Sequence, residues 1–188
     1  MEKIDWDSYF MAMTFMVATR SIDTSTKCGC VVVAPDHSVL SMGYNSPPRG
    51  CDDEKVPMTR PEKYAYMAHA EANAIANAAR EGIALKGSTF YITGFPCSVC
   101  FRSMKNAGAA RIVYGPNMAA MHTLEDSQDK DDFAVIEFMN NTKEAPWPYQ
   151  NRLGHVKSDI EFVEYKGDLT PIFDQAKQNY LNKKEKNG

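Results

Sequence analysis

Apolar positions recur at helical spacing over residues 8–19 (Ser-Tyr-Phe-Met-Ala-Met-Thr-Phe-Met-Val-Ala-Thr), which predicts an apolar-faced helix capped by Asp5 or Asp7. A nearly unbroken apolar run at 28–34 predicts a strand. Pro35-Asp36-His37-Ser38 then reads as a turn with His37 in solvent, and residues 39–44 return as a second strand. From Asn45 to about Ala68 no period is visible; a loop this long in a compact domain usually serves a function. The alanine-rich stretch from Glu71 to Arg80 reads as a helix closed by Gly82. A strand at 88–94, a helix beginning at about Pro96 and ending near Ala107, and a strand at 110–115 follow. Helix, hairpin, helix, strand, helix, strand is an order that predicts an α/β fold, with a central mixed sheet flanked by helices.

Beyond Gly115 the pattern weakens. Residues 129–141 read as a helix with Phe133, Ile136, Phe138 and Met139 as its apolar positions, and Glu144 to Tyr149 as loop. Residues 159–165 alternate weakly, as an edge strand would. Thr170 is placed to cap a last helix with Pro171 at its first position, and residues 182–188 are expected to fray. His122 and His155 lie outside every motif and are taken as surface residues. With no internal repeat and no linker, the chain reads as a single domain over residues 1–188.

The 188 residues are 44% hydrophobic and carry a formal charge of −3, which suits one domain with its own core. The charge is not the basic footprint of a duplex-binding protein, although a few local cations can still hold a small anionic substrate. No apolar run approaches the roughly 20 residues of a membrane span, and Met1 to Asp7 has no signal-peptide pattern. Five cysteines leave an odd count, consistent with thiols in a reducing, cytoplasmic compartment. Cys28 and Cys30 alternate along the first strand and face the same way. Two buried small residues are the plain reading of that pair, and a second metal site the minority one.

The candidate chemistry lies in His69-Ala70-Glu71 and, past an intervening strand, Pro96-Cys97-Ser98-Val99-Cys100. This is the pattern of the zinc-dependent nucleobase deaminases, in which the glutamate is not a ligand. His69, Cys97 and Cys100 supply one imidazole and two thiolates. Zinc on three protein ligands keeps a fourth position for water and lowers that water's pKa to about 7. Glu71 then moves protons from water to the ring nitrogen and the departing amine. Cys97 and Cys100, three apart, share a helix face, and Pro96 ahead of them suits a helix start. His69 and Glu71 are about 200° apart around a helix axis, so they meet one metal only if a helix begins there and points its end at the site. A structural zinc finger would need a fourth ligand at short spacing, and a redox CxxC pair would explain neither His69 nor Glu71.

Several further segments fall in a familiar order. Tyr9 to Met13, Ala18 to Asp23, Thr26 to Gly29, the loop Gly43-Tyr44-Asn45-Ser46-Pro47-Pro48-Arg49-Gly50-Cys51-Asp52-Asp53, HAEANAI, PCSVC and Asn106 to Tyr114 together resemble the deoxycytidylate (dCMP) deaminase family, within the cytidine/deoxycytidylate deaminase superfamily. The resemblance covers about residues 9–115. It implies a three-layer cytidine-deaminase-like fold, with a family-like core at about 5–115 and a divergent extension at about 116–188. It implies conversion of dCMP and water to dUMP and ammonia on catalytic Zn2+, feeding thymidylate synthesis. It further implies activation by dCTP and inhibition by dTTP, each with Mg2+, in a hexamer built from dimers.

Residue by residue, the resemblance places substrate contacts at Asn45, Ser25, Thr26, Lys27, Ala70 and Tyr114. It places effector contacts at Asn45, Ser46, Arg49, Gly50 and Asp52. Several have a plainer alternative. Asn45 can bond its own turn; Ser25, Thr26 and Lys27 can be a solvated loop instead of a phosphate site; Arg49 can be a solvated turn residue; Tyr114 can be core with a wet hydroxyl. Ser46 stands where the family's loop has Gly, a substitution that would strain any position of positive φ. Two other functions remain: a deaminase of RNA or single-stranded DNA, which would need basic and aromatic groove residues, and a structural zinc module, in which Glu71 would have no role. Use of dCTP as an additional substrate also stays open.

Overall fold

The computed structural model describes residues 3–115 and 160–186. The first helix, α1 (Trp6–Ala18), starts two residues earlier than its apolar stripe suggests. Asp5, not Asp7, is the cap: its carboxylate accepts from the Ser8 backbone N–H at 2.9 Å. Asp7 is used elsewhere, in a bidentate pair with Arg111 at 2.7 and 2.8 Å, and it also accepts from the Tyr91 hydroxyl.

Strands β1 (Gly29–Val33) and β2 (Val39–Tyr44) form the expected hairpin, followed by α2 (Ala70–Arg80), β3 (Thr89–Ile92), α3 (Ser98–Ala107) and β4 (Arg111–Tyr114). Residues 160–186 add β5 (Glu161–Glu164) and α4 (Thr170–Lys186). The sheet runs β2-β1-β3-β4-β5, with β1 antiparallel to both its neighbours and β3, β4 and β5 parallel to one another. β1 is buried along its whole length because it has a strand on each side and a helix on each face. Alternate side chains divide the core in two. Cys30, Val32, Phe90, Ile92 and Ile112 pack on α2 and α3, while Val31, Val33, Tyr91 and Val113 pack on Phe10 and Met11 of α1. The result is three layers, the architecture the resemblance implies.

Two glycines set how closely the helices approach. A Cβ at Gly29 would collide with the Thr14 carbonyl of α1, and one at Gly43 with the Ala70 carbonyl and Ala74 nitrogen of α2. α2 therefore lies against β2 along its backbone, which fixes where its N-terminus points.

Other expectations need correcting. Thr170 is the first residue of α4, not its cap; the Asp168 carboxylate accepts from the Thr170 N–H at 2.8 Å. α4 runs to Lys186, past the point where fraying was expected. His37 is exposed but stacks on Trp6, with centroids 4.2 Å apart. Two short 3-10 turns, Asp53–Lys55 and Glu62–Ala65, interrupt the long loop. The expected helix at 129–141, the loop at 144–149, His122 and His155 lie outside the described residues. Among those described, no helix is long and apolar enough to cross a membrane.

Candidate active site

Two helix N-termini meet at the site. His69 is the N-cap residue of α2 and Cys97 the N-cap residue of α3, both with extended backbone. Pro96 therefore stands just ahead of the cap rather than inside the helix. Capping places His69 one residue before the helical turn that carries Glu71, so the 200° separation along a continuous helix does not apply. Cys100 lies one turn into α3, and its N–H points at the Cys97 sulfur, 3.5 Å away. The positive ends of both helix dipoles thus converge on the group and favour negative charge.

His69 Nδ1 is 3.5 Å from Cys97 Sγ and 3.4 Å from Cys100 Sγ, and the three donor atoms all lie within 4.8 Å of one another. Tetrahedral bonds of zinc to nitrogen and sulfur would set those atoms about 3.5 Å apart. The donor set and its spacing fit zinc. Among the described residues this is the one His/Cys/Asp/Glu group so arranged. Burial rises from exposed His69 through Cys97 to buried Cys100, so the open side of the site faces solvent.

Hydrogen bonding from Cys100, opposed by burial and helped by His69, draws the Cys97 thiol down to about 4. Cys100 moves the other way: its bond to Cys97, burial and the Glu71 charge all hold its proton. Glu71 is 8% exposed. Burial raises its pKa above the ordinary range, and the charge on His69 partly offsets this. Cys28 and Cys30 share the core face behind Glu71. Burial, reinforced by the Glu71 charge, pushes Cys28 up to about 11 and Cys30 well above an ordinary thiol. Cys30 is buried and Cys28 half-buried, and burial favours the neutral thiol at both.

The remaining expected residues fall into two groups. Asn45 faces the segment before β1: its Oδ1 accepts from the Cys28 N–H at 2.7 Å, and its Nδ2 donates to the Thr26 carbonyl at 2.8 Å and to Asp23 at 3.3 Å. Ser25 and Lys27 are exposed and Thr26 half-buried on the same turn, with Lys27 Nζ donating to the Ser21 carbonyl at 2.6 Å. Ala70 is buried as the first residue of α2. Tyr114 is half-buried at the end of β4, its ring edge-on to Phe95 at 5.1 Å.

Ser46, Arg49 and Gly50 line a separate cleft of about 260 Å³, together with Arg20, Asn73 and Asn77, which the sequence did not single out. Arg49 donates to the Asn77 side chain at 2.9 Å. Asn45 and Asp52 do not line that cleft; Asp52 caps the first 3-10 turn and pairs with Lys55. Ser46 has no positive φ. It pairs with Ala68 in an isolated β-bridge, and its hydroxyl accepts from Asn73 at 3.1 Å, so serine is accommodated without strain.

The sequence reading missed Asp23 and Lys63, a fully buried ion pair 2.8 Å long. Asp23 falls in a family-like segment, but nothing local marks its pairing, because Lys63 lies forty positions further along the chain.

Residues 4–116 match the family model described as the cytidine and deoxycytidylate deaminase zinc-binding region. The chain is 35% identical to deoxycytidylate deaminase of Mus musculus over 117 residues, which are 59% of this chain and 65% of that protein. It therefore spans just under two thirds of that relative's length. It is 34% identical over 131 residues to deoxycytidylate deaminase of Mycobacterium phage D29, covering 61% of this chain and 97% of the phage protein. The crystal structure of dCMP deaminase from cyanophage S-TIM5 in complex with dCMP and dUMP matches with a TM-score of 0.60 at 19% identity. That match covers 88% of this chain and 100% of the other, and is a likeness of fold.

Proposed function

The chain belongs to the cytidine and deoxycytidylate deaminase family, and on that premise we propose that it hydrolyses dCMP to dUMP and ammonia. The observation that carries this reading is the convergence of His69, Cys97 and Cys100 donor atoms within 4.8 Å, beside a buried carboxylate that the set does not consume. Zinc on those three residues would supply an activated water at neutral pH. The chain's own work is proton transfer. Glu71 takes a proton from the attacking water and delivers it to the pyrimidine N3. It then carries the second proton to the exocyclic nitrogen, which leaves as ammonia. Its burial at the first turn of α2, beside His69, keeps the carboxylate next to the donor set and out of bulk water.

Burial of Ala70 at the α2 terminus leaves its backbone as the group that would meet the base. Tyr114, packed on Phe95, would flank the pocket, and Asn45 would sit below the sugar. Ser25, Thr26 and Lys27 form the polar turn proposed to meet the 5′-phosphate. The cleft lined by Arg20, Ser46, Arg49 and Gly50 is the proposed site for Mg2+-dCTP and Mg2+-dTTP, since two guanidinium groups suit a triphosphate. In this reading the chain is a cytoplasmic homo-oligomer, and its dUMP supplies thymidylate synthesis.

The test is ammonia release from deoxycytidine, dCMP, dCTP, CMP and a cytosine-containing oligonucleotide, each with and without added dCTP or dTTP. The expected result is a kcat/KM highest for dCMP. Equal values for nucleoside and nucleotide, or preference for the oligonucleotide, would overturn the assignment.

A further inference from the structure

Asp23 and Lys63 are 3% and 2% exposed, and Lys63 Nζ lies 2.8 Å from both Asp23 oxygens. Burying two charges carries a desolvation penalty that their attraction often fails to repay, so such a pair is poor evidence for stability alone. What it provides is direction. Asp23 Oδ1 also accepts from the Ser25 and Thr26 N–H groups at 2.8 and 3.1 Å, and Oδ2 from Asn45 at 3.3 Å. One carboxylate therefore fixes the backbone of the 23–26 turn. It also fixes that turn relative to the segment leading into the metal site. The Met67 N–H donates to the Lys63 carbonyl, Ala68 is bridged to Ser46, and His69 follows. Cys28, next after Lys27, packs against the core cluster that holds Ala70, the residue before Glu71, so the turn runs directly up to the start of α2.

The same pair fixes what lies outside it. Arg60, three residues before Lys63, is exposed; its guanidinium lies over the Tyr64 ring and its Nη2 is 3.3 Å from Thr26 Oγ1. Nearby, Glu62 is engaged with the Thr59 hydroxyl, and the Asp23 charge is matched by Lys63. Arg60 thus brings a guanidinium to the Thr26 hydroxyl from a second segment, on the same turn as Ser25 and Lys27, whose ammonium is held by the Ser21 carbonyl. A planar fork of donors beside hydroxyls suits a phosphate dianion better than a neutral hydroxymethyl group.

We propose that Arg60 is a specificity-determining ligand of the substrate's phosphomonoester, and that Asp23 and Lys63 are the positioning residues that hold it and the Ser25–Lys27 turn around that phosphate. The proposal rests on the dCMP reading above.

The test measures kcat and KM on dCMP and on deoxycytidine for the full chain, Arg60→Ala, Arg60→Lys and the double variant Asp23→Asn/Lys63→Gln. Loss of one charge-assisted hydrogen bond should raise the dCMP KM about 10- to 100-fold in Arg60→Ala, with deoxycytidine turnover unchanged and partial rescue in Arg60→Lys. The double variant removes both charges while keeping polar groups, and should raise the dCMP KM several-fold more than the deoxycytidine KM. A full chain that prefers dCMP while Arg60→Ala keeps its dCMP KM overturns the role of Arg60. Equal losses on both substrates in the double variant, or failure of that variant to fold, overturn the positioning role and make the pair a scaffold. A full chain that treats nucleotide and nucleoside alike sinks the dCMP reading itself, a different outcome from either.

Discussion

Replacing Asn45 with alanine should destabilise the protein by about 2–4 kcal/mol, because its amide holds two backbone groups of the segment before β1 at once. The Cys28 N–H at 2.7 Å and the Thr26 carbonyl at 2.8 Å lose their side-chain partner together. Each such bond contributes about 1 kcal/mol net, and a buried group left unpaired costs about 1–3 kcal/mol. The longer contact to Asp23 adds little, since that carboxylate keeps Lys63, Ser25 and Thr26. Equilibrium urea unfolding at fixed protein concentration is the assay; fixed concentration matters because any subunit association adds to apparent stability. With a slope of about 2 kcal/mol per molar, the midpoint should fall by about 1–2 M. Asn45→Asp should be no better at neutral pH, because its second oxygen would face the Asp23 carboxylate and the Thr26 carbonyl. A midpoint within about 0.25 M of the parent would refute this reasoning and leave Asn45 with a ligand role only.

Glu71→Gln keeps the shape of the side chain but cannot accept a proton; zinc content should be retained while turnover on dCMP falls at least about a hundredfold, and an active variant would remove Glu71 from the mechanism. The Arg111 hydrogen bonds, opposed by burial and aided by Tyr91, hold the Asp7 carboxyl below its ordinary range. Its folded pKa being the lower one, Asp7 contributes stability above the unfolded value of about 3.9, lost as pH falls through the folded value. Asp7→Asn should therefore flatten the acid limb of a thermal-stability profile below about pH 4, and an unchanged limb would contradict the pairing. Arg49→Ala should blunt responses to dCTP and dTTP while sparing dCMP turnover at saturation; undiminished responses would place the effectors elsewhere.

The candidate metal group was legible because its chemistry is tied to short spacings: HAE and PCxxC mark the three donor residues that the fold brings within 4.8 Å, and the alanine-rich run behind Glu71 announces α2. The sheet was legible because β1 and β2 read as apolar runs separated by a Pro-Asp turn. The Asp23–Lys63 pair was not legible, because the partners lie forty residues apart and Lys63 sits in a stretch without period. Asp7 looked like a cap on local grounds, and only the arrival of Arg111 from β4 gives it another use. Asn45 was found as a residue but not in its bonding, since the sequence cannot say which neighbour a turn amide will face. Arg20, Asn73 and Asn77 were passed over because they come from one loop and one helix face that meet only when α2 lies against β2.

Ammonia release from dCMP during titration of zinc into metal-stripped protein tests the central claim most directly. Activity should be absent without metal, rise linearly, and level off at about one zinc per chain. Turnover that persists in the metal-free protein, or no ammonia at any zinc ratio, would contradict it.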